Sequence, residues 1–338
     1  MPLNNEGYDA AVVGGGPAGL SAALMLGRAR RSVLVVDNGQ PRNAPAAHMH
    51  GFLSRDGVPP GRLLEEGRRE AAGYGGEFAD GRALSASREH GGFALELDTG
   101  RTVRARRLVV TTGIVDELPD VPGLRERWGR DVLHWPYCDG WEVRDQPVGV
   151  LSTGPMSAHQ ALLFRQWTDR LTLLAHTGPR PTREERERLD ARGIAVVDGE
   201  VCGLETVGNR LVGVRLSTGG TVPLGALAVA PRARPRAEVL AALGLKPSPD
   251  PRGFGERIAA DATGSTEAAG VWVAGNIADP AANVLGSAAS GAAAAGAVNS
   301  DLIAEETDSA VAARNAPFSA ESEARLCERV LGEGRHGV

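Results

Sequence analysis

Six residues near the N-terminus, Gly14-Gly15-Gly16-Pro17-Ala18-Gly19, constrain this chain more than any other stretch. They follow Asp9 to Val13, a short apolar run with no helical period that reads as a buried parallel strand. Leu20 to Leu26 then reads as a helix, and Ser32 to Val36 as a second strand ending at Asp37. Strand, glycine turn, helix, strand and acid together make the G-x-G-x-x-G dinucleotide fingerprint in its βαβ frame. Gly14 permits the tight turn. Gly16, followed by Pro17 and Ala18 as further candidate cofactor contacts, lets the backbone approach a diphosphate that the helix N-terminus attracts. Gly19 lets helix and strand pack closely. Asp37 can accept hydrogen bonds from both hydroxyls of an adenosine ribose.

The remainder bounds the function. With 338 residues, about two domains are expected. The net charge is −5, and the arginines are scattered or set among acids, as in Arg183-Glu184-Glu185-Arg186-Glu187-Arg188. No basic patch for nucleic acid is visible. No apolar run reaches the roughly 18 residues that a membrane span needs. Met1 to Gly7 lacks the charged and apolar pattern of a cleavable signal, so a cytoplasmic protein is expected. Three cysteines, Cys138, Cys202 and Cys327, are too few for a disulfide framework.

Two later elements repeat the nucleotide-binding style. Arg107 to Val110 reads as a strand leading into Thr111-Thr112-Gly113. Gly270 to Asn276 reads as another strand ending in a small-residue turn, followed by an alanine-rich helix from Ala281 to Ile303. Between them lies Trp135-Pro136-Tyr137-Cys138-Asp139-Gly140, a C-x-x-C-D-G element with tryptophan at the first cysteine.

This combination resembles the two-dinucleotide-domain flavoproteins and, within them, the thioredoxin reductase family, over residues from about 8 to 305. The resemblance implies an α/β fold of two Rossmann-like domains with parallel sheets. Residues 1–115 and 240–310 would form a discontinuous FAD domain. Residues 116–239 would form an inserted NAD(P)H-binding-like domain, and 311–338 a tail with a helix over Ser319 to Leu331. It implies FAD as cofactor and a homodimer. Gly275 and Asn276 would fall in the late flavin element; Asn276 stands where the family has aspartate, and its amide oxygen can still accept. Arg42, Asn43, Thr112, Gly113, Asn283 and Val284 are further flavin contacts that the resemblance implies.

In the inserted domain the strand Pro147 to Leu151 leads into Ser152-Thr153-Gly154-Pro155-Met156-Ser157-Ala158 and a helix from His159 to Trp167. Of the fingerprint expected there, only Gly154 and Ala158 remain. The next strand, Leu171 to Ala175, leads into His176-Thr177-Gly178, where the family has two arginines for the 2′-phosphate of NADPH. A retained scaffold with poor or absent nicotinamide binding is expected. That combination is similar to the dithiol oxidases of natural-product pathways, which pass electrons from FAD to O2.

Cys138 matches the flavin-side cysteine of the family, and Trp135 replaces the one that exchanges with outside thiols. One cysteine beside a tryptophan cannot form the internal disulfide. Cys138 is still a candidate catalytic residue, whose thiolate could donate charge to oxidised flavin, form a C4a adduct or form a mixed disulfide with a substrate thiol. Otherwise it is a buried spectator. Asp139 is a candidate proton donor or acceptor, or an acid at a helix N-terminus. Trp135 either packs or walls the flavin. His48 and His50 follow the first flavin segment, and His50 is a candidate proton shuttle. No third ligand accompanies them, so no metal is expected. The leading expectation is an FAD-dependent oxidase of a small-molecule substrate, with O2 as acceptor, H2O2 as product and no dithiol relay. An NAD(P)H-dependent flavin reductase with an atypical nucleotide site and a non-catalytic flavin-bearing regulatory protein are the alternatives.

Overall fold

The computed structural model describes residues 7–316 and 320–331. Met1 to Glu6, and Ser319 of the expected tail helix, lie outside the described residues. The chain opens with strand β1 (Tyr8–Val13), helix α1 (Pro17–Arg28) and strand β2 (Val33–Asp37). Ala11 and Val13 pack into one core, and Ala10 and Val12 into another on the opposite face. An apolar run buried on both faces therefore forms the centre of a parallel sheet.

That sheet has seven strands. Glu77–Asp80, β2, β1 and Thr102–Val110 run side by side, all parallel. The long strand Thr102–Val110 forks. Its first half pairs antiparallel with Gly92–Leu97, which pairs with Ala83–Glu89. Its second half pairs in parallel with Val271–Val273, which returns from far along the chain. A second sheet of five parallel strands runs in the order Ala195–Val197, Leu171–Leu174, Val148–Leu151, Ala226–Val229, Val132–Leu133. An antiparallel meander, Val201–Val207, Arg210–Leu216 and Thr221–Pro223, covers one side of it. Two antiparallel strands, Ile114–Glu117 and Arg232–Pro235, form a ribbon where the chain passes between the two sheets.

The alanine-rich helix spans Val284–Asn315, starting later and ending later than its sequence pattern indicates. Asn283 sets the start, because its Oδ1 accepts the Gly286 N–H at 2.8 Å. Ion pairs carry it onward. Arg31 meets Glu306 at 2.6 Å, Arg106 meets Glu305 at 2.8 Å, and Arg107 meets Glu305 at 2.5 Å and also Asp301. Against α1 this helix packs backbone to backbone. A Cβ added at Gly291 would lie 1.9 Å from the Ala18 carbonyl oxygen. A further helix covers Ala320–Leu331, and Leu326 and Val330 on it are exposed. Among the described residues, no helix is long and apolar enough to cross a membrane.

Candidate active site

A cavity of about 950 Å³ opens at the C-terminal ends of β1 and β2, at the upper end of the roughly 300–1,000 Å³ usual for ligand pockets. The glycine turn forms its floor. Gly14 has φ +110°, and a Cβ there would lie 2.6 Å from the Thr111 carbonyl oxygen. A Cβ at Gly19 would lie 1.9 Å from the Gly14 oxygen, so that glycine lets the helix touch the turn. Gly16 is different. Its φ is −75°, and no protein atom comes within 4 Å of the place a Cβ would take. Neither backbone strain nor packing asks for glycine there; a ligand lying against the backbone does. The turn thus fits a dinucleotide diphosphate. Asp37 lies against Gly15 at the rim.

Apart from Gly19, every residue that the sequence singled out for cofactor or chemistry lines this one cavity. Their partners are less uniform. Arg42 makes a two-pronged pair with Asp116, Nε to Oδ2 at 2.7 Å and Nη2 to Oδ1 at 2.6 Å. Its Nη1 donates to Asn276 Oδ1 at 3.3 Å. The Asn276 amide nitrogen donates to the backbone carbonyls of Asp279 at 3.1 Å and Ala282 at 2.8 Å. An aspartate has no N–H to offer those carbonyls, so asparagine here holds the 279–282 loop in place. Thr112 Oγ1 donates to the Arg236 carbonyl at 2.6 Å, and Asn283 serves as the helix cap.

Trp135 to Asp139 enter the cavity as a short helical turn, Pro136–Asp139, with Trp135 at its N-cap. A Cβ at Gly140 would meet the Pro136 oxygen at 2.4 Å and the Trp167 ring at 2.9 Å, which is why glycine follows. The Trp135 ring stands edge-on to Phe254 with centroids 6.1 Å apart, and His134 lies 6.2 Å from Trp128 and 6.3 Å from Trp135. These rings wall the cavity beside Cys138 and Asp139. Burial, then the neighbouring Asp139 charge, pushes the Cys138 thiol up to about 11. Burial, then Glu142, raises Asp139 to about 6. Burial, then the Arg42 charge, lowers His134 to about 4, so its imidazole is neutral near pH 7.

His50 sits between two acids, Nδ1 3.3 Å from Asp56 Oδ2 and Nε2 3.4 Å from Glu142 Oε1. His48 turns to the Gly57 carbonyl at 3.0 Å. Among the described residues, no group of three metal-ligating side chains converges. Cys202 and Cys327 do not line the cavity. His134, Trp128 and Phe254 were not singled out from sequence. His134 had one available signal, its place directly before Trp135, whereas Phe254 had none.

In the second sheet the corresponding turn is filled by the chain itself. Ser157 Oγ accepts the N–H groups of Thr153 at 3.2 Å and Gly154 at 3.4 Å and donates to the Gly154 carbonyl at 2.8 Å. These turn N–H groups are the kind that would cradle a diphosphate. The Gly178 backbone lies so close above Ser152 that a Cβ there would be 2.2 Å from its Oγ. His176 Nδ1 accepts the Val201 N–H at 3.1 Å, and Arg180 is exposed.

The family described as pyridine nucleotide-disulphide oxidoreductase matches residues 8–300. The crystal structure of HlmI is 45% identical, with a TM-score of 0.85, over 97% of this chain and 99% of that one. An oxidoreductase from Agrobacterium tumefaciens is 36% identical, with a TM-score of 0.82, over 88% of this chain and 99% of that one. Thioredoxin reductase tcpT of Claviceps purpurea is 34% identical over 177 residues, 50% of this chain and 55% of that protein. The chain spans about half the length of the curated relatives it matches, between 40% and 55% for the first of them.

Proposed function

The chain belongs to the pyridine nucleotide-disulphide oxidoreductase family and is an FAD-dependent oxidoreductase of thioredoxin reductase type, and from that premise we propose that it works as an oxidase of a small molecule. The observation that carries this reading is the Ser157 hydroxyl, which already holds the N–H groups that a nicotinamide dinucleotide would need. With Trp135 in place of a cysteine, no internal dithiol can relay electrons either. The substrate then meets the flavin directly, and O2 is the final acceptor. A substrate would lose two electrons and two protons, and O2 would take them to become H2O2. This chemistry fits specialised metabolism.

FAD supplies the two-electron acceptor when bound. In this reading Gly14, Gly16 and the α1 N-terminus would hold its diphosphate and Asp37 its ribose, and Gly275 and Val284 would line the rest of its site. Trp135, Trp128 and Phe254 exclude water and select a flat substrate. Asp139 receives the substrate proton, and His50 with Glu142 leads it towards solvent. Cys138 acts as a neutral wall. Burial, then the Asp139 charge, pushes its thiol up to about 11, which disfavours the thiolate at pH 7. Cys138→Ser is therefore expected to keep flavin reduction within about threefold of the parent rate, where a thiolate mechanism loses orders of magnitude. The exposed apolar residues Ile303, Val311, Leu326 and Val330 support a homodimer built through the C-terminal helices.

The direct test is anaerobic mixing of the purified yellow protein with excess NADPH, then NADH. The flavin absorbance is expected to persist, although dithionite bleaches it and air restores it. Rapid bleaching by either nucleotide would mean that the inserted domain delivers hydride, and the oxidase reading would fall.

A further inference from the structure

The charge inventory of the cavity leaves one cation uncommitted on the ribbon side. Arg42 is paired with Asp116 at 2.6 Å, and Arg234 with Glu117 at 2.9 Å. Arg236 directly follows the ribbon strand Arg232–Pro235 and is half-buried. Its backbone is fixed at both ends, since its N–H donates to the Gly113 carbonyl at 3.0 Å and its carbonyl accepts from Thr112. Its Nη1 donates to the Gln40 carbonyl at 3.3 Å, which leaves most of the guanidinium fork without a partner among the described residues. It lines the same cavity as Gly14 and Gly16. FAD carries its two negative charges on the diphosphate, and a guanidinium fork matches phosphate oxygens better than any other side chain.

We propose that Arg236 is a diphosphate ligand of FAD, supplied to the cofactor cavity from the ribbon that joins the two sheets. FAD is then held by both parts of the molecule, the glycine turn from one side and the ribbon from the other. The inference concerns the cofactor alone and stands whether or not the protein is an oxidase.

The test is FAD dissociation from the holoprotein on dilution, followed by the fluorescence of released FAD, at low and high salt. Arg236→Gln is expected to weaken FAD about 10- to 100-fold, the loss of a charged hydrogen bond. It should also flatten the salt dependence seen in the parent, because the screened charge pair is gone. Arg236→Lys keeps the cation but loses the fork, and is expected to recover part of the affinity and the salt dependence. Arg82, exposed on the turn between Asp80 and Ala83, is the rival cation, and Arg82→Gln serves as the comparison. A change under threefold in Arg236→Gln would overturn the proposal. So would equal losses in the glutamine and lysine variants, or a larger loss in Arg82→Gln. Should the glutamine variant not fold, the lysine variant and the parent's own salt dependence decide. A parent that releases FAD at the same rate in low and high salt overturns it.

Discussion

Replacing Asp139 by asparagine is expected to slow reduction of the flavin by a small organic donor about 100- to 10,000-fold, the usual contribution of a positioned acid or base. The measurement is anaerobic stopped-flow bleaching with the first member of a panel of dithiols, monothiols and amines that reduces the parent protein. Asp139 titrates near 6 because burial, then Glu142, disfavours its charge. Only the carboxylate accepts a proton. The parent rate should therefore climb as pH rises through about 6 and level off above it, while the asparagine variant shows no such step. Stability should move the other way. A carboxyl raised from 3.8 to about 6 favours the fold while protonated, and that contribution fades as pH rises between the two values. At pH 7 the asparagine variant should melt no lower than the parent, which separates lost chemistry from lost structure. An unchanged rate, or a step near pH 6 that survives in the variant, removes Asp139 from the mechanism.

Two alanine substitutions only three residues apart should fail in different ways. Gly16→Ala is expected to give a folded protein that purifies nearly colourless, because the added Cβ meets no protein atom within 4 Å and occupies ligand space. Its FAD affinity should fall by at least about tenfold, as a steric block replaces backbone contact. Gly19→Ala places a Cβ 1.9 Å from the Gly14 oxygen and 2.7 Å from Thr111 Oγ1. Backbone must shift, at a cost of about 1–3 kcal/mol or more for an overpacked core. That variant should lose melting temperature and flavin together. Flavin content per protein and thermal unfolding measure both. A Gly16→Ala protein as yellow as the parent would show that no ligand lies against that turn.

The contrast marks what the sequence could say. The β1–α1–β2 unit was legible because its reasons are local: an apolar run, a turn and an acid within some thirty residues. The glycines of that unit have separate tasks that their spacing alone displays. Trp135, Cys138 and Asp139 were legible as a cluster because one short helical turn carries them. The second sheet was half legible. The missing glycine at Ser152 showed, but not that Ser157, five residues on, would take over the turn's N–H groups. Arg42 read as a flavin contact, yet its fork is held by Asp116 and Asn276, 74 and 234 residues away. Partners so distant in sequence leave no spacing to read. The same holds for Phe254, which reaches Trp135 from a different part of the fold. Asn276 read as an acceptor in place of an acid; its donors proved to matter as much, because the loop it holds presents carbonyls.

The ribbon between the sheets is tied to the segment after β2 twice, by Arg42 on Asp116 in one strand and by Arg236, directly after the other, on the Gln40 carbonyl. The Trp135–Asp139 turn already faces the cavity that the glycine turn floors. In this arrangement the turn is already at the cavity, so flavin reduction is expected to keep its rate when the solvent is made more viscous. A hinged machine must swing back before each cycle, and thick solvent slows the swing. A rate that ignores viscosity would leave the tempo to the arrival of molecules and to the chemistry.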